Sequence, residues 1–498
     1  MLRRDSALRQ SFVLDSDGLD GRVVGGASYQ FLGVGVRTLL TLGSTAVLAR
    51  LLTPADFGYV AMATVVTEFA GLLSAFGLSN VLIQRRAISR LQVDTVFWAT
   101  LAIGCVLTVF VFATSYLAGL LFSDPNVGPL LQVMSLNFAI GSLSAVPGVV
   151  LSRLMRFKAI FCINTLSMII RSVVAIGCAV AGWGTSSLVV GSLVGTLADV
   201  VLHFVWVPYR PRLRFHWPFV ARTWRTSTGY LGNTTLYYVN MNLDLLLIGR
   251  QLGPAALGYY QSARSLTDEI RGRIAMPIQQ VLFPAFSALQ EDRERFQQLV
   301  LRAGRLLAAV VVPIGFGVSA NAEELVLVLY GEQWRPMVPV MAMFGLSAAV
   351  RAATAVASSL FNANDRVGLA FRYNVVGTLL TIAGVLLAMP YGIEGVAVAV
   401  ALTALYSLVS FRAALRLIGL GERQIVEVLG APVAAALAMW LATLALRGLD
   451  CSAVPVLLRL GVHVLSGALV YLAVLILVAP QFGRDLRDAL RLVLARRS

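Results

Sequence analysis

Apolar runs of membrane-spanning length follow one another along almost the whole chain, separated by short polar connections. A helix needs about 20 predominantly apolar residues to cross a hydrocarbon core about 30 Å thick. The pattern therefore predicts an all-α polytopic membrane protein of about fourteen transmembrane helices. The spans fall near 27–50, 57–83, 93–121, 129–152, 159–181, 185–208, 226–250, 255–286, 298–320, 336–362, 367–389, 392–418, 424–446 and 454–479. The short connections leave no room for a separate globular domain.

Composition agrees. Of 498 residues, 58% are hydrophobic and only 13% charged, with mean hydropathy +0.80, a balance no soluble fold of this length has. The net charge of +15 comes almost wholly from Arg, Lys158 being a rare exception. These cations sit in short loops between apolar spans, so no basic soluble domain exists to bind nucleic acid. One set of loops carries Arg85, Arg86 and Arg90; Arg153, Arg156 and Lys158; Arg210, Arg212 and Arg214; Arg293 and Arg295; Arg366; Arg412, Arg416 and Arg423. Both tails belong to that set, and the alternate loops hold few cations and the acids Glu323, Glu324 and Glu332. The asymmetry predicts that the basic loops and both termini are cytoplasmic. The first 22 residues lack the pattern of a cleaved signal peptide. The tail 480–498 reads either as a basic amphipathic helix on the anionic inner leaflet or as a solvated basic end. Cys105, Cys162 and Cys178 lie in spans and Cys451 in a short loop, with no metal-ligand or disulfide spacing. His203, His216 and His463 are scattered.

An internal repeat organises the chain. RLLTPADFGY at 50–59 matches RQLGPAALGY at 250–259, and without gaps Ala63, Thr67, Ala75, Val81 and Leu82 match Ala263, Thr267, Ala275, Val281 and Leu282. Glu68 faces Asp268. A weaker echo pairs Phe161, Asn164 and Gly182 with Phe371, Asn374 and Gly392. The copies are six spans apart, an even number, so they share an orientation: a parallel repeat about an axis along the membrane normal, a transporter architecture. The expected organisation is a tail 1–22, an N-lobe 23–208, a basic linker 209–225, a C-lobe 226–420, two further helices in 421–479 and the tail 480–498.

At these residues a family resemblance enters. The stretch ARLLTPADFGYVAMATVVTEFAGLLSAFGLSNVLIQR at 49–85 is similar to the polysaccharide-export flippases, the Wzx-like branch of the multidrug/oligosaccharidyl-lipid/polysaccharide superfamily. NLDLLLIGRQLGPAALGYYQSARSL at 242–266 resembles the second-lobe counterpart, and VLFPAFSALQED at 281–292 and YGEQWRPMVPV at 330–340 match the same habit. The resemblance covers roughly residues 25–420. It implies two six-helix lobes around a central cavity, location in the bacterial inner membrane, and movement of a polyprenyl-diphosphate-linked oligosaccharide from the inner to the outer leaflet. The product would be an exopolysaccharide, capsule or O-antigen, and the partners would be membrane lipids and a polysaccharide polymerase with its export machinery.

Charged groups inside the spans carry the candidate chemistry, because a charge at the bilayer centre is costly and is kept for a partner, water or ligand. Arg37, Arg171, Arg264 and Arg351 fall near the middle of the first, fifth, eighth and tenth spans, and Arg271 and Arg273 deeper in the eighth. The acids are Glu68, Asp199, Asp244, Asp268 and Glu269. Internal pairing is one reading, since Arg264 and Asp268, and Glu269 and Arg273, are one helical turn apart. A cationic cavity is the other: four Arg on separate helices suit a lipid diphosphate, which a guanidinium binds bidentately. Asn240, with Asn242, Asn164 and Asn374, would bond sugar hydroxyls or neighbouring helices. Tyr29, Tyr237, Tyr238, Tyr259 and Tyr260 would stack on sugars or line the interface. GSLVG at 191–195 is a small-residue packing face.

No GxxxxGK[ST] motif is present, so the chain itself would not hydrolyse ATP, and no cofactor or metal is expected. Coupling would draw on an H+ or Na+ gradient, with Glu68 and Asp268 as candidate carriers. The expected pair is asymmetric: Arg264 holds Asp268 ionised, whereas Glu68 has Thr64 and Leu72 one turn away. The reading is thus a non-enzymatic flippase working by alternating access. Two alternatives stay open: a multidrug or metabolite exporter of the same superfamily, for which an acidic cavity is the discriminator, and a membrane glycan polymerase or ligase, which needs a sizeable outer loop.

Overall fold

The computed structural model describes residues 19–74, 82, 88–207, 209–221, 238, 241–269, 292–448 and 454–479. Asn240, Arg271, Arg273, Cys451, most of the motif 281–292 and the tail 480–498 lie outside the described residues. Within them all regular structure is helical, and ten segments are long and apolar enough to cross a membrane. One of these, Gly368–Leu417, has 50 residues, enough for two passes. The chain divides into two compact units, Met1–Gly258 and Tyr259–Ser498.

The first unit holds α1 (Leu19–Leu51), α2 (Pro54–Ser74), α3 (Arg90–Phe122), α4 (Val127–Arg153), α5 (Phe157–Val180) and α6 (Thr185–Trp206). It also holds the start of α7, the helical residues 241–269. The hydrophobic pattern placed most of these spans within a few residues; α1 begins earlier, at Leu19, and α2 is described only as far as Ser74, short of the predicted end at 83. Local chemistry sets the ends. Ser89 and Gln92 form a capping box at the start of α3, each side chain bonding the other's backbone N–H. At the start of α2, Asp56 Oδ2 accepts from Thr53 N (2.8 Å) and Thr53 Oγ1 (2.7 Å), and its Oδ1 accepts from Thr185 Oγ1 (2.5 Å). The repeat copy has Gly253 and Ala256 at these two positions. It makes its turn by another route: Gly253 takes φ +81, a left-handed conformation open to glycine, immediately before Pro254.

The two copies of the repeat motif touch each other. A Cβ on Gly58 would lie 1.7 Å from Pro254 O, and a Cβ on Gly258 would lie 1.9 Å from Pro54 O. Each glycine therefore sits against the proline carbonyl of the other copy, a reciprocal contact. All four residues belong to the first unit. Elsewhere in it α3 packs on α4, α5 on α6, and α1 on α5. The core between α3, α4 and the segment after α6 contains Val93, Val96, Phe97, Val146, Val150 and Tyr209.

The second unit is built around α8 (Arg293–Ala320), which packs on α10 (Val338–Ala353) and α15 (Glu422–Arg447). Between α8 and α10 stands the short helix α9 (Ala322–Leu329), followed by a 3₁₀ turn at Glu332–Met337. Next come α11 (Val356–Ala363), α12 (Val367–Ala388), α13 (Gly392–Ala404), α14 (Tyr406–Leu417), α15 and α16 (Val456–Val478). The spans predicted as single helices at 336–362 and 392–418 are each interrupted. The first breaks at Thr354, whose hydroxyl bonds Val350 O and Ser407 Oγ; the second breaks at Leu405. Residues such as Leu307, Val311, Leu360, Phe361 and Phe411 fill the core.

Candidate functional site

A cavity of about 710 Å³ opens among α1, α2, α4, α5 and α6 in the first unit. That lies within the size range of small-molecule sites, roughly 300–1,000 Å³. Its lining is rich in hydroxyls: Thr41, Ser44 and Thr45 from α1, Thr64 from α2, Ser144 from α4, Ser167 and Ser172 from α5, Ser192 and Thr196 from α6. Several of these hydroxyls already donate. Thr41 Oγ1 bonds Arg37 O at 2.8 Å, Ser44 Oγ bonds Thr41 O at 3.1 Å, Ser144 Oγ bonds Gly141 O at 3.0 Å and Ser167 Oγ bonds Asn164 O at 3.3 Å. Thr196 Oγ1 reaches Asn137 Oδ1 at 2.7 Å. A hydroxyl has one proton and two lone pairs, so these oxygens offer the cavity acceptor capacity.

The charged groups of the lining are Arg171 and Asp199. Arg171 is exposed, and what it is exposed to is the cavity. No carboxylate pairs with it among the described residues. Its stem lies along α6, where a Cβ on Gly195 would meet Arg171 Cβ at 2.7 Å and Cγ at 3.1 Å. The small residue at 195 is what lets the guanidinium stem pass. Asp199 is engaged: His203 Nδ1, one turn on, lies 2.9 Å from its carbonyl oxygen and 3.2 Å from its Oδ2. His203 is 7% exposed. The cavity therefore combines an arginine that has no carboxylate pair among the described residues with a field of oxygen acceptors.

Arg37 lies nearby, one turn before Thr41 on α1, and opens onto a narrow recess with Gly33, Phe161, Asn164 and Thr165. Its Nε donates to Gly33 O at 3.1 Å. The structure thus places Arg37 and Arg171 on the adjacent helices α1 and α5, with Asn164 level with Arg37. The other two central arginines are in the second unit. Arg264 Nε stands 3.6 Å from Asp268 Oδ2, the i,i+4 pair that the spacing suggested. Arg351 falls in the last turn of α10, beside the break at Thr354. Glu68 on α2 is exposed, and its Oε2 lies 3.3 Å from Tyr238 Oη, which donates its proton to Val65 O at 2.8 Å.

Sequence reasoning missed the hydroxyl lining and the Asp199–His203 pair. The pair had a signal in the sequence, an Asp and a His one turn apart on an otherwise apolar helix. The hydroxyls had none, because single Ser and Thr residues scattered over several helices look like packing residues. The small-residue face at 191–195 does pack, Gly191 against Ala175 and Gly195 against Arg171.

Comparison with known proteins gives four findings. Residues 47–339 match the family described as polysaccharide biosynthesis protein. The chain is 28% identical over 375 residues to the lipopolysaccharide biosynthesis protein WzxC of Escherichia coli (strain K12), covering 74% of this chain and 75% of that protein. It is 29% identical over 301 residues to the succinoglycan biosynthesis transport protein ExoT of Rhizobium meliloti (strain 1021), covering 60% of this chain and 61% of that one. Among solved structures, the lipid II flippase MurJ in an inward closed conformation shares the fold. It has a TM-score of 0.73 at 13% identity, covering 93% of this chain and 99% of that one.

Proposed function

Because the chain belongs to the polysaccharide biosynthesis protein family, we propose that it is a secondary flippase carrying lipid-diphosphate-linked oligosaccharide across the bacterial inner membrane for surface polysaccharide assembly. The observation that carries this reading is the cavity in which Arg171, with no carboxylate partner among the described residues, faces at least nine Ser and Thr side chains. A glycan is dense in hydroxyl donors, which suit acceptor oxygens. Its diphosphate needs cations, which Arg171 and Arg37 supply as bidentate forks. Two relatives, a lipopolysaccharide biosynthesis protein and a succinoglycan biosynthesis transport protein, support the same cargo class. A carrier of cationic drugs would instead need a free carboxylate, and in this cavity Asp199 is held by His203.

The working scheme is alternating access by an N-lobe 23–208 and a C-lobe 226–420, with helices 421–479 added and both termini cytoplasmic. Arg264, Arg351 and Asn240 remain candidate headgroup contacts, and Glu68 and Asp268 candidate sites of H+ or Na+ coupling. A polysaccharide polymerase and its export machinery are the partners that would consume the product.

The test is Arg171→Ala and Arg171→Lys in the full-length protein, scored by surface polysaccharide and by lipid-linked oligosaccharide retained in the inner leaflet. The Ala variant should lower export about 100-fold at near-normal protein level, the size of effect seen when one preorganised donor to an oxyanion is removed. Lys should recover part of it. Unchanged export in Arg171→Ala would overturn the assignment.

A further inference from the structure

The segment that leaves α6 is a built platform. Tyr209, 1% exposed, donates its phenol proton to Asp94 Oδ1 at 2.8 Å, and Asp94 is itself fully buried at the start of α3. The Arg212 N–H also points to Asp94 Oδ1 at 3.4 Å, Trp98 Nε1 donates to Arg212 O at 2.8 Å, and the His216 N–H donates to Thr95 Oγ1 at 3.1 Å. Arg210 Nη1 closes back on Phe204 O at 2.8 Å. Phe219 and Val220 then re-enter the core. A non-helical run of about eight residues is thus held at both ends and in the middle.

What the platform presents is amphipathic. Leu213 is 87% exposed, Phe215 50% and Trp217 66%. The rings of Phe215 and Trp217 lie 6.2 Å apart, so alternate side chains share a side. Arg212 precedes them and Arg214 and His216 stand between them, all three also exposed. Large apolar groups in this number are not left in water without cause. Their position says what covers them. The platform sits where α6 ends at Trp206 and α3 begins at Arg90, at the rim of two membrane spans. Val205 and Trp206, exposed on α6, continue the lipid-facing surface directly into it. A soluble protein partner would have to displace bilayer from that rim, whereas a bilayer reaches it already.

We propose that residues 210–217 are an interfacial anchor that binds anionic phospholipid headgroups. Leu213, Phe215 and Trp217 enter the boundary between headgroups and acyl chains, the level where amphipathic aromatics settle. Arg212 and Arg214 meet the lipid phosphates, with charge complementarity to an anionic leaflet. The hydrogen bonds to α3 order the run beforehand, so binding costs little further loop entropy. This site is separate from the cavity and does not depend on the cargo assigned to it.

The experiment uses full-length protein in nanodiscs of phosphatidylcholine with and without phosphatidylglycerol. Lipids brominated high on the acyl chain should quench the part of the emission that the Trp217→Phe variant lacks. Phosphatidylglycerol retained through detergent exchange, counted by mass spectrometry, should fall about tenfold in the double variant Arg212→Gln/Arg214→Gln. It should also fall with rising salt, and return in Arg212→Lys/Arg214→Lys, which separates charge from folding. Inorganic phosphate should not displace the lipid. Absence of Trp217 quenching would overturn the anchor and point to a protein partner. Retention unchanged in the Gln variant, or full displacement by inorganic phosphate, would overturn the headgroup assignment.

Discussion

At the scale of single residues, Glu68 and Asp268 occupy equivalent positions in the repeat but have different neighbours. Asp268 has Arg264 at 3.6 Å, while Glu68 has no cation partner among the described residues and lies 3.3 Å from the Tyr238 phenol, which also donates to Val65 O. A carboxylate without a cation is the better carrier of a proton. In proteoliposomes under an imposed pH gradient, Glu68→Gln should remove the gradient dependence of transport and Asp268→Asn should keep it. The opposite pattern would reverse the roles. Tyr209 yields a prediction about stability. Burial, reinforced by the Asp94 carboxylate, pushes its phenol well above the ordinary value near 10. A folded-state value above the unfolded one gives stability that is complete below about pH 10 and is lost as pH rises beyond it. Thermal unfolding of the wild-type chain should therefore be flat in this respect from neutral pH upward, then fall in alkali. Tyr209→Phe should cost about 2 kcal/mol at neutral pH, the worth of a bond to a charged group, and should lose the Tyr209 share of the alkaline fall. At this scale the sequence was a partial guide. Arg37 and Arg171 were legible because charges inside apolar runs stand out. The hydroxyl lining was not, because its residues come from five helices and only the fold brings them together.

At the scale of elements, most of the periodic apolar spans were legible to within several residues, and the short or broken helices were not. The helix α9 is an example: its glutamates suggested a polar loop. In the structure Arg447 Nη2 lies 2.9 Å from Glu323 Oε2 and 3.0 Å from Glu324 Oε2, and Arg447 Nη1 bonds Ala320 O at 3.0 Å. His463 Nδ1 of α16 stands 3.6 Å from Glu324 Oε1. The Arg447 guanidinium on α15 thus ties α8 to α9, and His463 joins α16 to the same Glu324, which is 4% exposed. Arg447→Met should destabilise the protein by about 3 kcal/mol, because it strands a buried carboxylate. Adding Glu324→Gln should return part of the loss. If the double variant is no better than the single one, packing of the Arg447 stem, and not its charge, holds these helices. The loss would be read as a fall in unfolding temperature in detergent.

At the scale of the whole molecule, the internal repeat was visible in the sequence, but the meeting of its two copies was not. Identity between segments says nothing about whether they touch. The reciprocal glycine contact makes a non-additive prediction. Gly58→Ala should cost about 2 kcal/mol, since the new methyl meets backbone that cannot move aside. Gly258→Ala should cost about the same. Together they should cost clearly less than the sum, because helices parted for one methyl have already made room for the other. Gly43→Ala, with nothing within 4 Å of its would-be Cβ, should be close to neutral. Full additivity in thermal unfolding would contradict the reciprocal geometry. The hydroxyl lining has a different consequence for the molecule as a machine. A carrier must let go as easily as it takes hold. A sugar hydroxyl that exchanges a bond to water for a bond to a serine or threonine oxygen gains little net free energy. Such a surface admits many sugars nearly isoenergetically, tolerates changes of linkage, and retains none of them. On the proposed reading, grip would then rest on the guanidinium, which would sense the anionic part common to every cargo. The cavity would be permissive toward the variable glycan and strict toward the invariant phosphate, with a shallow energy profile along the path between.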